Sequence, residues 1–264
     1  MSMASFKCCR IESLESRVLM AAQTATLQGS VLIITGTEGV DGIDVSVNAS
    51  GEVEVPLVNS KVFKVPEAAL SRVVINSMGG NDRIDCSAVL TGNAPLSVPA
   101  VINAGDGDNN VRGGAGADAI VTGSGNDIIS GGDGNDRISS GDGDDTVSGN
   151  AQNDQIDGGA GNDRLNGHGG RDKISGGPGD DRIFGGPSGD FLAGQGGADE
   201  VFGEGGSDRI SGGVGEGDTL HGGAGDDFFA SNDSYLDYVY GDGGKDSTLS
   251  DTSDVVVSIE MMVE

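Results

Sequence analysis

The chain has 264 residues, with 42 Asp and Glu against 15 Lys and Arg, a formal net charge of −27, 49 Gly, 4% aromatic residues and no Trp. That balance excludes a nucleic-acid binder, which needs a basic face to displace phosphate counterions, and points to cations as partners. It also leaves a conventional core of packed aromatic and aliphatic side chains poorly supplied.

Three cysteines, Cys8, Cys9 and Cys86, make neither a disulfide framework nor a CxxC zinc or redox motif. No apolar run approaches the roughly 18 residues that span a bilayer. The first 23 residues stand apart, with Lys7, Arg10 and Arg17 ahead of Val18-Leu-Met-Ala-Ala-Gln23, and read as a targeting segment. Leu14-Glu-Ser-Arg17-Val-Leu-Met-Ala21 resembles the L-E-x-R-x-L-L-A leader associated with export of large bacterial surface proteins. That resemblance implies a leader over residues 1–23.

Residues 24–103 contain Val-rich stretches near 31–34, 43–47, 53–58, 61–65 and 72–75 that alternate as strands do. Two nine-residue units, Gly36 to Asp44 with Asp41 and Ser77 to Asp85 with Asp82, carry in degenerate form a pattern that becomes regular from Ala104. This region is expected to be an N-terminal β cap continuous with the regular repeats.

From Ala104 to Ser211 the chain divides without insertion into twelve nonads, of which Gly131-Gly-Asp-Gly-Asn-Asp136-Arg-Ile138-Ser139 is typical. Aspartate fills the sixth position at Asp118, Asp127, Asp136, Asp145, Asp154, Asp163, Asp172, Asp181, Asp190, Asp199 and Asp208, and only Asn109 breaks the column. The eighth position is aliphatic throughout, from Val111 to Ile210, and the fourth is Gly except at Gln152 and Ser188. A flexible Gly/Asp-rich linker would match the composition but would not keep phase. The spacing predicts six residues of turn followed by three of strand, with Gly at positions one, two and four permitting positive φ. Such a turn becomes a concavity lined with oxygen, suited to Ca²⁺, a hard cation that takes six to eight oxygen ligands.

The pattern G-G-x-G-x-D-x-U-x, with U aliphatic, resembles the RTX or haemolysin-type calcium-binding repeat, and the resemblance extends over residues 104–249. It implies an all-β parallel β-roll in which two nonads complete a coil of 18 residues. Alternate repeats then fall on opposite edges. One edge would carry Asp118, Asp136, Asp154, Asp172, Asp190 and Asp208, the other Asn109, Asp127, Asp145, Asp163, Asp181 and Asp199. As the resemblance has it, each ion lies between successive turns of one edge, held by sixth-position carboxylates and Gly-rich carbonyls. Five gaps on each edge would take roughly ten Ca²⁺. Asn109, Gln152 and Ser188 mark the expected weak turns. The small core and mutually repelling acids predict a chain that is disordered without metal and β-rich with it.

After Ser211 the phase slips by one residue in Gly212 to His221, recovers in Gly222 to Ala230 with Asp227 as a further ligand, and slips again in Ser231 to Tyr240. Tyr235, Tyr238 and Tyr240 gather near Phe228 and Phe229 and are expected to cap the roll, with residues 250–264 as a closing strand and tail. Ile259-Glu-Met-Met-Val-Glu264 leaves open a C-terminal signal for type I secretion, which the resemblance implies.

The reading that needs only these features is a secreted or cell-surface, non-catalytic calcium-binding protein of structural or adhesive role, with a polysaccharide among its possible partners. The alternative is the RTX appendage of an extracellular hydrolase or protease. Against it, His168 and His221 are the only histidines and sit inside repeats, and there is neither H-E-x-x-H nor a G-x-S-x-G elbow. An ice-binding face would need a column of Thr at position three, which is absent.

Overall fold

The computed structural model describes residues 24–57, 61–87, 93–215, 217–231 and 233–259. The leader segment 1–23 and the tail beyond Ile259 lie outside the described residues. Two long sheets, of twelve and eleven strands, take successive strands of the chain alternately. Apart from the first pair of the twelve-stranded sheet, neighbours within each sheet are parallel, and through the regular repeats they lie one coil apart, as in Arg137↔Gln155, Ile138↔Ile156 and Ser139↔Asp157. The fold is a parallel β-roll whose period is two nonads.

The eighth-position side chains close the space between the sheets. Ile120, Ile138, Ile156, Ile174, Leu192 and Ile210 from one sheet meet Val111, Ile129, Val147, Leu165, Ile183 and Val201 from the other, and none is more than 3% exposed. Leu220, Phe229 and Val239 continue the line through the segments where the repeat slips. Burial along Arg137–Asp142 alternates so that Ile138 and Ser140 face inward and Arg137 outward, the period-two pattern of a strand. Position one must therefore be small, since the core has room for one large side chain per nonad.

The strands are longer than the spacing suggested. Arg137–Asp142, Gln155–Ala160 and Arg164–Gly169 each run six residues, from position seven through position three of the next nonad. Pairing skips position one, passing from Ser139↔Asp157 to Gly141↔Gly159, and then resumes. The turn proper is thus confined to positions four to six.

Residues 24–103 enter the same sheets. Val31–Thr37, Arg72–Met78 and Ala100–Gly105 pair in parallel in one of them, and Gly42–Asp44 with Arg83–Asp85 in the other. Between these, Ser46–Val47, Glu52–Leu57 and Lys61–Pro66 form a small antiparallel sheet whose Val53, Val55 and Val65 join the core. Thr24–Gln28 runs antiparallel to Val31–Thr37 and ends that sheet, which limits further parallel addition.

The aromatic residues expected to cap the far end do otherwise. Phe229 is a core residue, whereas Tyr235 and Tyr238 are 44% and 37% exposed. Tyr240 belongs to a rib along the outer face of the eleven-stranded sheet, in which Phe184, Phe202, His221 and Tyr240 stack with ring centroids 5.1, 5.1 and 4.6 Å apart. One strand spacing separates successive positions, so equivalent residues on adjacent coils fall naturally into such stacks.

Truncating Ile156 to Ala in mid-roll leaves a cavity that flanking coils, fixed by their own ladders, cannot close. The expected cost is about 2–5 kcal/mol, read as a lowered denaturation midpoint of the calcium-loaded protein.

Candidate metal centre

The sixth-position aspartates end each turn and fold back under it. All are buried, with Asp118, Asp127, Asp136, Asp145, Asp154, Asp163, Asp172, Asp181, Asp190, Asp199, Asp208 and Asp227 no more than 3% exposed. One carboxylate oxygen of each accepts the main-chain N–H of the equivalent residue one coil earlier. On one edge the chain of bonds runs from Ala100 N–H to Asp118, Asp118 to Asp136, and on through Asp154, Asp172, Asp190, Asp208, Asp227 and Asp246, at 2.7–3.0 Å. On the other it runs from Asp41 N–H to Asp82 and Asn109, then through Asp127, Asp145, Asp163, Asp181, Asp199, Asp218 and Asp237 to Asp254, at 2.7–3.2 Å.

The second oxygen has no such partner. Oδ2 of Asp127, Asp136, Asp145, Asp154, Asp163, Asp172, Asp181, Asp190, Asp199, Asp208 and Asp227 is buried without a hydrogen bond, as is that of Asp82, Asp218, Asp237 and Asp246. A buried charged oxygen left unpaired carries a large desolvation penalty. One such atom in a protein could be an accident of packing, but two files of them on opposite edges call for a cation or for protons.

Main-chain oxygens stand beside these orphans. A Cβ built on Gly131 would overlap Oδ2 of Asp136 and lie 2.8 Å from the carbonyl oxygen of Gly149. The position-one glycine is therefore needed for space, and it does not adopt the positive φ expected of it. Positive φ belongs to positions two and four, at +113° and +129° for Gly132 and Gly134, whose missing Cβ atoms let carbonyls of the previous coil stack against them. Among the described residues no three His, Cys, Asp or Glu side chains converge on one point. Each turn contributes one buried carboxylate, so most of an oxygen shell would come from the main chain, which suits Ca²⁺ and does not suit the softer N/S-liganded metals.

A profile described as the RTX calcium-binding nonapeptide repeat matches overlapping stretches, 101–129, 121–156, 130–165, 157–192, 184–217 and 216–235, which together exceed half the chain. The chain belongs to that family. No curated protein matches it significantly.

With the RTX character shown, the individual turns can be compared. Asp118 is satisfied internally, its Oδ2 accepting the N–H of Gly114 at 2.7 Å while Oδ1 takes that of Ala100, so it offers no orphaned oxygen. Asn109 replaces charge with a donor, its Nδ2 reaching the carbonyls of Gly105 and Gly107 at 3.1 and 2.8 Å. On the same edge position one carries hydroxyls at Ser77, Thr122 and Ser140, which donate to the carbonyls of Ala104, Ser140 and Gly158. The first coils are thus closed in part by the protein's own donors. Gln152 takes the left-handed conformation despite its side chain, at φ +75°, whereas Ser188 does not, and Asp154 and Asp190 in these two turns keep their orphaned oxygens.

Asp218, Asp237 and Asp246 continue the ladders but fall outside a strict nonad count. The extra residue in Gly212 to His221 and in Ser231 to Tyr240 is taken up in the turn, and the carboxylate still bonds its neighbour, now 19 residues away. The local triplet of Asp, any residue and an inward side chain, as in Asp218-Thr-Leu220 and Asp237-Tyr-Val239, is the signal that finds them.

Burial raises these acids. It pushes Asp136, Asp154, Asp181 and Asp190 up to about 7, with repulsion from neighbouring rungs adding to it and the main-chain N–H opposing it. Asp145, Asp199, Asp218 and Asp227 rise to about 6 for the same first reason. A carboxyl whose folded pKa lies above its unfolded value stabilises the metal-free fold fully below the unfolded pKa, and that contribution is lost as pH rises toward 7. Acid and calcium should therefore act as substitutes. In EGTA, sheet content by circular dichroism is expected to increase between pH 7 and pH 4. In calcium, the apparent affinity is expected to weaken over the same interval, with proton release on binding detectable as a buffer-dependent heat.

Asp163→Asn preserves the oxygen that accepts the N–H of Asp145 but removes the charge. Calorimetric titration should show lower calcium stoichiometry or affinity than wild type, while the conservative change leaves the calcium-loaded sheet signal in place.

Proposed function

We propose that this calcium-binding repeat protein is a non-catalytic module, secreted or held at a cell surface, whose folding is governed by extracellular Ca²⁺. The observation that carries the reading is the double file of buried, unpartnered Oδ2 atoms. The residues that would hold the ions are the sixth-position aspartates from Asp127 to Asp208 with Asp218, Asp227, Asp237 and Asp246, together with carbonyls of the intervening glycine turns. When bound, calcium supplies positive charge along each edge, roughly ten ions in the regular array. The aspartates for their part bond each coil to the next through Oδ1, and the turns keep water from the ladders.

Support for a location outside the cell comes from the calcium range that such a device reads, roughly 0.1 to 1 mM for extracellular modules. Among the described residues no helix is long and apolar enough to cross a membrane. A structural or adhesive role fits a long, rod-like surface built from repeats. His168 and His221 support no catalytic grouping: His221 stacks in the aromatic rib and faces Asp242 at 3.2 Å, and His168, in the strand Arg164–Gly169, lies beside Ser148.

The test is far-UV circular dichroism of the full chain at neutral pH with EGTA, with magnesium and with calcium. Cooperative gain of sheet signal is expected with calcium near the millimolar range and little with Mg²⁺, whose tight octahedral shell dehydrates reluctantly. A chelator-treated protein that melts cooperatively with its full sheet content would end this reading.

A further inference from the structure

The two ends of the roll are finished differently. At the N-terminal end Glu52–Leu57 touches both Thr24–Gln28 and Gly42–Asp44, the outermost strands of the two long sheets, and its small sheet sends Val53, Val55 and Val65 into the core at no more than 5% exposure. At the C-terminal end the twelve-stranded sheet stops at Ser247–Ser250 and the eleven-stranded sheet at Val255–Val257, and among the described residues no strand pairs with the outer edge of either. The inward line stops there as well. Phe229 and Val239 are fully buried, whereas Thr248 and Val256, which pair with them in the last coil, are half-buried.

The open groups at this end belong to the strands. The last aspartate of its ladder is satisfied, with Asp254 Oδ1 accepting the N–H of Asp237 at 3.2 Å and Oδ2 accepting the Ser231 hydroxyl and the N–H of Asp251 at 2.9 and 3.1 Å. An open strand edge presents a row of main-chain N–H and C=O groups and is ordinarily guarded by charge, Pro or a bulge. Ser247-Thr-Leu-Ser250 and Val255-Val-Val257 contain neither a charge nor a Pro, and their registers with the preceding strands run without a bulge. Leu249, Val255 and Val257 are 56%, 42% and 41% exposed. In a chain of net charge −27 these two strands are neutral, so charge on them does not oppose a meeting with their own copies.

We propose that the C-terminal end of the roll is a self-association surface on which a second copy of this chain docks end to end as a two-fold dimer. Each coil advances one strand spacing, roughly 4.8 Å, and successive strands alternate between the sheets. The last strand, Val255–Val257, therefore stands about half a spacing beyond Ser247–Ser250. A two-fold axis parallel to the strands sets the protruding strand of each copy against the recessed strand of the other, antiparallel, and closes both joints at once. Side chains keep their faces in this arrangement. Inward Val256 lies opposite Thr248 of the second copy, and outward Val255 lies opposite its Leu249, an apolar cross-strand pair. A head-to-tail stack would need the N-terminal end, which the small sheet already plugs, whereas an isologous contact uses the open end alone and closes at two copies. The footprint is two strands wide, at the small end of specific interfaces, which sets the expected dissociation constant in the roughly micromolar range.

The inference rests on the calcium-folded module proposed above, and the experiment separates the two. The full chain in saturating calcium is sedimented over a concentration series that brackets the micromolar range, and circular dichroism is recorded on each sample. The expected result is a reversible monomer–dimer equilibrium that stops at two copies. Leu249→Lys/Val255→Lys sets like charges opposite each other in both joints and should weaken dimerisation at least about tenfold. Leu249→Glu/Val255→Lys sets opposite charges there and should restore it to within a few-fold of wild type. Both positions lie on outer faces, so the sheet signal should persist in each variant. If the double-lysine variant loses that signal, Val255→Lys alone and the Glu/Lys variant decide. A monomer at every concentration, growth past the dimer, or a dimer that the two double variants affect equally overturns the proposal. Absence of sheet signal in calcium would instead defeat the folding reading.

Discussion

The structure depends on a carboxylate divided between two tasks. In the turns from Asp127 to Asp246 one oxygen of the aspartate accepts a main-chain N–H from the coil before it, as in Asp154 N–H to Asp172 at 2.7 Å, while the other faces the glycine turn with no donor. The first bond requires the side chain to be buried and aligned. Once buried, the second oxygen creates an electrostatic demand that the polypeptide does not meet with its own groups. Only protons or a cation can satisfy it. The same residue that stitches the coils together thus makes their cohesion conditional on solution chemistry.

The glycines follow from this arrangement. At position one a Cβ would occupy the volume shared by an aspartate oxygen and the carbonyl of the next coil. At positions two and four it would meet the carbonyls of the coil before. Where the repeat departs from glycine the local chemistry changes with it: Thr122 and Ser140 put hydroxyls at position one and use them as donors, and Asn109 substitutes an amide for a charge. Those departures fall early in the array, next to the small antiparallel sheet that packs against the same core. The turns of Asn109 and Asp118 consequently rely on the protein's own donors, whereas Asp82 and the aspartates from Asp127 onward keep an oxygen that no donor reaches.

Much of this was legible in the amino-acid order because a repeat keeps its information in phase. The 18-residue coil, the inward line from Val111 to Ile210 and the partition of aspartates between edges all follow from one nine-residue pattern. What the pattern hid was local. The extent of the strands depends on main-chain pairing that resumes after position one, and no residue type announces it. Asp218 and Asp237 were obscured because a strict count fails where the turn absorbs an extra residue, although the triplet around each survives. The satisfied state of Asp118 depends on the N–H of Gly114, a contact that the repeat formula does not distinguish from its neighbours. The aromatic rib from Phe184 to Tyr240 arises from residues 18 or 19 apart, a separation at which side chains look unrelated until the coil is wound.

Since two nonads make one coil, this chain counts by parity as well as by length. A single inserted residue is taken up in a turn, as Gly212 to His221 shows, and every later side chain keeps its side. Loss of one whole nonad would preserve the motif perfectly and yet send each downstream strand to the opposite sheet, so that the ring stack of Phe202, His221 and Tyr240 would exchange faces with Arg209 and Phe228. Evolutionary growth or shrinkage that leaves the outer surfaces in register must therefore proceed in even numbers of repeats.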